Sequence, residues 1–329
     1  MKRIKPLINC AATILLIAIF TQYTGYLLRP LETDDAVSSI RAFHNLPENS
    51  VEVIGFGSSH MWRGMDPRIM YEEYGIAAYN YGCNWQKCNT TSLFIQDALR
   101  TQKPKVALIE TFALSDMLME TDVNGEIYYT KEIDEFPGKL RYLQQCFGNE
   151  KERYLAYYMP LCAFHDNWVN LSKDSFRKIS DGESYYRTMG FVGSEKTAEV
   201  EIPKPEKLIQ VEFNDAAIAE ISHIIQICRE NDVEIVFYVA PYNSEQWQYA
   251  YGEATAKLAA DYGYPFFNMF ELQEEIGFDG NTDFSDPGHL NTSGAKKVAA
   301  FLGKYLKENY ELTDMRTIKD NFWEINIRE

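Results

Sequence analysis

Five short apolar runs, each closing on small or polar turn residues, constrain this chain more than any other feature of its sequence. They cover 51–56, 76–81, 106–109, 233–239 and 265–268. Apolar residues, many of them β-branched or aromatic, fill them with little polar alternation, as in strands buried on both faces of a parallel sheet. Patterns of helical period stand between and after them. Residues 90–101 carry Leu93, Phe94, Ala98 and Leu99 on one face, and 215–231 repeat Ile218, Ile221, Ile224, Ile225 and Cys228. Two more helices are predicted over 245–262 and 291–309. Strand, helix, strand at this spacing predicts right-handed βαβ units and an α/β architecture around a central parallel sheet. No internal repeat or low-complexity stretch interrupts it.

The segments outside that pattern set the organisation. Lys2, Arg3 and Lys5 precede 6–28, a run without a charged residue. About 20 such residues cross a bilayer core as a helix. The basic flank before the run, with Glu32, Asp34 and Asp35 after it, places the N-terminus in the cytoplasm and the body outside. A cleaved signal peptide is the rival, but no small-x-small cleavage site follows Phe20. The expected division is a membrane segment over 1–28, a polar stalk over 29–50 with a short helix at 36–44, an α/β domain from 51–112 and 211–310, and a tail over 311–329. Residues 113–210, rich in tyrosine and charge, read as a mostly helical cap inserted over the carboxyl edge of the sheet. The net charge of −16 excludes nucleic acid as the main partner and disfavours a bare polyphosphate polymer. Six cysteines are too few for a disulfide scaffold. Cys83 and Cys88 are close enough to bridge, or are two buried thiols.

Gly57-Ser58-Ser59-His60 follows the first run directly. In an open α/β sheet the ligand crevice lies at the carboxyl ends of the strands. A serine on a sharp turn into a helix presents its hydroxyl there, beside free amide N–H groups. Gly-Ser-Ser also makes ordinary loops and N-caps. A serine hydroxyl is a poor nucleophile unless a base lies within hydrogen-bond reach. Residues 283–294, DFSDPGHLNTSG, offer one. Asp286 stands three residues before His289 across Pro287-Gly288, so the carboxylate can hold one imidazole nitrogen while the other faces the crevice. In isolation the same residues make a turn cap and an exposed histidine.

Together, Gly57-Ser58-Ser59, the Gly82 that ends Tyr79-Asn80-Tyr81-Gly82, and Asp286-Pro287-Gly288-His289 resemble the motif blocks of the SGNH, or GDSL-type, hydrolase superfamily. The resemblance covers roughly 51–112 and 215–308. It implies a three-layer α/β/α flavodoxin-like fold, a triad of Ser59, His289 and Asp286, oxyanion donors in the amides of Ser59 and Gly82, and no cofactor. It departs at the third block: the strand ends in Ile109-Glu110-Thr111-Phe112 without the expected asparagine, and Asn84 is the candidate replacement. The anchor with Gly-Ser-Ser and a late Asp-x-x-His also looks like the D-alanyl-lipoteichoic acid biosynthesis proteins and related cell-envelope acylation proteins. The activity implied is an extracytoplasmic serine esterase or O-acyltransferase acting on O-acyl, chiefly acetyl, esters of envelope carbohydrate. The missing asparagine favours an alternative, a non-catalytic carbohydrate-binding or scaffolding protein working beside a membrane-bound O-acyltransferase. A thioesterase or lipase would need an apolar acyl channel under the cap.

Further residues are candidates for substrate contact: His60, Arg63, Tyr242, and His165 and Trp168 from the cap. Each also has a structural reading, as a packed ring, an ion-pair partner or a contact between cap and body. A zinc site from His60, Asp286 and His289 rests on no ligand spacing, and no metal is expected.

Overall fold

A computed structural model describes residues 4–114, 128–202, 211–244 and 246–328. Its main sheet has five parallel strands, β1 (Val53–Phe56), β2 (Ala78–Asn80), β3 (Val106–Glu110), β4 (Glu234–Val239) and β5 (Phe266–Asn268), in the order β2-β1-β3-β4-β5. Val53 pairs with Ala78 on one side and Val106 on the other, and the register runs on through β4. All five predicted runs therefore became strands of one parallel sheet. A short antiparallel hairpin, β6 (Phe284–Asp286) and β7 (His289–Leu290), stands apart from it.

In chain order the helices are α1 (Ile4–Leu27), α2 (Asp34–His44), α3 (Ser59–Gly64), α4 (Pro67–Tyr74), α5 (Cys88–Ala98), α6 (Phe136–Phe147) and α7 (Lys151–Tyr158). They continue with α8 (Pro160–Phe164), α9 (Glu183–Thr188), α10 (Asp215–Glu230), α11 (Gln246–Tyr262), α12 (Gln273–Ile276), α13 (Thr292–Asn309) and α14 (Phe322–Arg328). Successive strand residues point to opposite faces, and β3 shows the consequence. Val106 and Leu108 join a core with Met61 of α3, Met65 just beyond it, Met70 of α4, and Val298 and Leu302 of α13. Ala107 and Ile109 join a second core with Val37, Phe43, Phe94, Ile221 and Ile225 from α2, α5 and α10. The result is a three-layer α/β/α sandwich. The strand order reverses between β1 and β3, and ligands of such sheets bind outside the carboxyl ends of the strands at that switch.

Two segments differ from expectation. Residues 29–50 are not a polar stalk. Ala36, Val37, Ile40, Ala42 and Phe43 of α2 are buried, and Phe43 stacks on Tyr81 with ring centroids 3.9 Å apart. The polar residues that suggested a stalk are paired: Arg29 binds Asp34 through two bonds of 2.7 and 2.8 Å, and His44 reaches Asp97 at 2.6 Å. Of the predicted insertion 113–210, residues 115–127 and 203–210 lie outside the described part. Its α6 packs against α5, its α8 against α1, and its α9 against α2 and α14. The Glu220 carboxylate of α10 accepts from Arg141 and Gln145 of α6 and from Ser92 of α5, joining insertion to body. The tail is docked: Trp323 is fully buried and its indole N–H donates to the Ser50 carbonyl at 3.0 Å. Cys83 and Cys88 are buried and not bridged by a disulfide. α1 is long and apolar enough to cross a membrane.

Candidate functional site

Ser59 is the first residue of α3, immediately beyond the carboxyl end of β1. The turn between them depends on Gly57. A methyl group there would lie 2.8 Å from Cβ of Glu110 and 2.9 Å from Cβ of Met61, closer than side-chain carbons approach. Ser58 caps the helix, its hydroxyl accepting from the His60 amide at 3.3 Å while its carbonyl accepts from Met61 and Trp62. Ser58 is thus committed to the cap, and Ser59 is the serine free to point outward. Its amide, at the first helical position, has no intrahelical acceptor.

The opposite wall comes from 230 residues later in the chain. In the β6–β7 hairpin Asp286 lies directly across from His289. Pro287-Gly288 makes the turn, the Gly288 amide donating to Asp286 Oδ1 at 2.9 Å. The Asn243 amide, beyond β4, donates to the Pro287 carbonyl at 2.8 Å and ties the turn to the sheet. Behind it, Asn291 caps α13 and reaches back to the Thr282 carbonyl. The buried Asp283 carboxylate holds Ser293 and Lys297 of the same helix.

These two walls bring the predicted residues together. His289 Nε2 lies 2.8 Å from Ser59 Oγ, and His289 Nδ1 lies 2.9 Å from Asp286 Oδ1. Burial pushes the Asp286 carboxyl up, but the hydrogen bond and charge of His289, the Gly288 amide and the Ser285 hydroxyl outweigh it. The net result holds Asp286 below its ordinary value, hence ionised at neutral pH. An ionised Asp286 fixes the proton on Nδ1 and leaves Nε2 as an acceptor for the serine hydroxyl.

The surroundings of Ser59 on its other side are different. The Gly82 amide donates to Asn80 Oδ1 at 3.2 Å. Asn80 in turn donates from Nδ2 to the carbonyls of Met61 and Met65, at 2.7 and 2.8 Å. One buried carboxamide therefore binds β2 to the middle of α3 and to the residue just past its end, and also occupies the amide expected to face an oxyanion. Gly82 itself sits so close to α3 that a methyl group would meet Met61 Cγ at 2.8 Å. Asn84 is half-buried in the next turn, and its side chain makes no hydrogen bond among the described residues. At the third-block position stands Glu110, fully buried at the end of β3. Both of its oxygens lie 3.2 Å from the Phe112 amide, and the Ala240 amide also donates to it. Burial raises this carboxyl from 4.5 to about 8 against the pull of the two amides, so it is protonated at neutral pH.

The His60 ring is buried among other rings. Its ring centroid lies 4.0 Å from Phe112, 4.6 Å from Tyr242 and 5.4 Å from His289. Burial, and then the neighbouring His289, push it down to about 3, so it is neutral and a weak base. Its Nδ1 is buried without a hydrogen-bond partner among the described residues. Tyr242 is buried against His60, Phe112 and Phe270, as packing rather than as an exposed wall. Arg63, on the last turn of α3, approaches Asp286 Oδ2 at 3.9 Å. His165 and Trp168 of the insertion lie away from the place expected of them. Both are exposed in a 3₁₀ turn whose Asn167 donates to the Leu28 carbonyl, so they stand at the end of α1 and not in the serine crevice.

Sequence reasoning missed three parts of the site. Asn80 and Glu110 carry no motif of their own, although Glu110 occupied a position known to lack its asparagine. The third is the extended segment 189–202, which bonds to Asn80 of β2, Trp62 of α3, Phe284 of β6 and Thr292 of α13 and so straps the two walls together.

No family model matches the sequence, and no curated protein matches it. Among solved structures, the chain is similar to a Bacteroides fragilis protein provisionally named an acylhydrolase. Identity is 8%, coverage is 81% of this chain and 93% of that one, and the TM-score is 0.40. At that score the likeness carries no functional argument, and the reading rests on the site.

Proposed function

We propose that this chain is a serine esterase or O-acyltransferase of the SGNH type. In this reading it is held in the cell membrane by α1, N-terminus inside, and acts outside on O-acyl, chiefly acetyl, esters of envelope carbohydrate. The observation that carries the catalytic part is the continuous relay Ser59–His289–Asp286, with both bonds under 3 Å. Ser59 Oγ attacks the ester carbonyl carbon while Nε2 of His289 takes the hydroxyl proton. The resulting imidazolium is balanced by Asp286 and returns the proton to the departing alcohol oxygen. The acyl group then passes from Ser59 to water or to a sugar hydroxyl, with His289 as base for the acceptor. No step needs a cofactor.

The free Ser59 amide supports the carbonyl oxygen as it takes up charge. The Gly82 amide joins it only on leaving Asn80, and Asn84 is the remaining donor. One specific observation favours the alternative of a catalytically degenerate, carbohydrate-binding or scaffolding protein that assists a membrane-bound O-acyltransferase. The oxyanion side is closed by Asn80, and a carboxyl group stands where an asparagine donor is expected. Turnover of an aryl acetate by the full-length chain in detergent separates the two. The esterase reading expects hydrolysis that is absent in Ser59→Ala. Equal rates in wild type and Ser59→Ala support the scaffold. Adding acylated glycan with a second sugar acceptor then distinguishes transfer from hydrolysis by the product formed.

A further inference from the structure

The end of α1 is built into the body, and this defines where a bilayer would meet it. Residues 5–20 are wholly exposed, and burial begins at Thr21. At 1.5 Å per residue, about 20 residues from Ile4 span a hydrocarbon core of about 30 Å and end near Tyr23. From that level the helix is fastened to the insertion. Gln22 Nε2 donates to the Tyr158 carbonyl at 3.0 Å, and the Tyr26 hydroxyl to the Arg177 carbonyl at 2.7 Å. Gly25 lies against Pro160 and Leu161 so closely that a methyl group would meet the Leu161 nitrogen at 2.6 Å. Arg29, paired with Asp34, also donates to the carbonyls of Ser175 and Arg177. The chain therefore leaves α1 through a rigid joint, with no tether between helix and body.

The surface around that joint is apolar. Leu155 and Tyr158 are exposed on one face of α7, and Met159, which ends it, is exposed beside them. Trp168 is 66% exposed, with Val169 beside it, and Phe176 is 63% exposed. Each belongs to a stretch that bonds to residues 22–29 of the chain. In the same region the charges balance: Arg177 lies 4.0 Å from Asp174 and Lys178 3.2 Å from Asp181, with Lys173 and Asp166 nearby. Exposed apolar surface of this extent marks an interaction site. Tryptophan and tyrosine are the side chains that settle at the headgroup level of a bilayer.

We propose that residues 155–176 form a bilayer-docking surface that seats the body directly on the membrane face from which α1 emerges. Tyr158, Trp168 and Phe176 enter the interfacial zone, with Lys173 beside them at the headgroup level. The body is then held at a fixed height and orientation, so its crevice meets substrate at a constant distance from the membrane. This inference rests on the reading of α1 as a membrane anchor but not on the catalytic reading of Ser59.

The test uses the full-length chain in vesicles of phosphatidylethanolamine and phosphatidylglycerol. Photoreactive p-benzoylphenylalanine replaces, one at a time, Trp168, Phe176, Leu15 within α1, and Glu274 on α12 at the β5 edge. Lipid adducts are read by mass after irradiation. The expected result is adduct at 168 and 176 comparable with that at 15 and several-fold above that at 274. Adduct at 15 alone overturns the docking surface and leaves the anchor standing. Adduct at none of the four overturns the anchor and the surface together. Protein–protein cross-links at 168 and 176 in place of lipid overturn it in favour of a contact between copies of the chain.

Discussion

The two sides of Ser59 are built differently. On one side every group of the relay is in place: Ser59 Oγ to Nε2 at 2.8 Å, Nδ1 to Asp286 at 2.9 Å, and a hairpin braced to α13 behind them. On the other side the groups that would receive an oxyanion are engaged elsewhere, Gly82 with Asn80 and Glu110 with the amides of Phe112 and Ala240. The difference separates two requirements of acyl transfer. Making the nucleophile needs only a base and its orienter, and the resting fold supplies both. Holding the charge of the intermediate needs donors free at the moment of reaction, and here at least one must exchange partners first. A lost donor costs about 10²–10³ in rate in other hydrolases, so the account expects an activated serine with modest turnover.

The largest expected effects lie on the relay side. Ser59→Ala and His289→Ala each lower ester turnover by about 10⁴-fold or more, measured as kcat/KM on an aryl acetate. Thermal unfolding of Ser59→Ala stays close to wild type, because its half-buried hydroxyl supports nothing else. Asp286→Asn keeps the shape but leaves His289 in the wrong tautomer, and a loss of about 10²–10⁴-fold is expected. A wild-type rate for that variant would remove Asp286 from the relay.

The other side breaks by stability first. Asn80→Ala leaves the Met61 and Met65 carbonyls without their donor, which destabilises the fold by about 1–3 kcal/mol, read as a lowered denaturant midpoint. The opposite pattern, full stability with lost turnover, would make Asn80 a direct participant in the chemistry. Glu110 gives a pH test with a defined sign. Its folded value of about 8 lies above its ordinary 4.5, so the stability it contributes is complete below pH 4.5 and declines as pH rises towards 8. Glu110→Gln keeps the acceptor for the two amides and cannot ionise, so its unfolding midpoint should stay level across that window while the wild type falls. Arg63→Leu is the smallest change. A pair at 3.9 Å with a partly exposed side chain contributes little, and turnover within about threefold of wild type is expected.

The parallel sheet was legible because its strands are short apolar runs that close on Gly57, Gly82 and similar turn residues, a pattern few other structures share. Ser59, Asp286 and His289 could be nominated for a related reason: their chemistry is local to a turn, and each turn is visible in the sequence. What pairs across the fold was not legible. Residues 29–50 read as a polar stalk, yet Arg29 pairs with the buried Asp34 and His44 with the buried Asp97, and the apolar face of α2 is packed. Trp168 and His165 were nominated by residue type alone, and type does not say which end of the molecule an insertion occupies. Residues 189–202 show neither helical nor strand period, since their backbone bonds go to other elements one at a time.

The most direct test of the relay is fluorophosphonate labelling of the full-length chain in detergent, with the adduct mapped by mass. The account predicts a single adduct on Ser59 that disappears in His289→Ala, because only a serine with a base at 2.8 Å reacts readily. Folded protein that takes up no label, or labels equally without His289, would contradict it and leave the carbohydrate-binding scaffold as the better description.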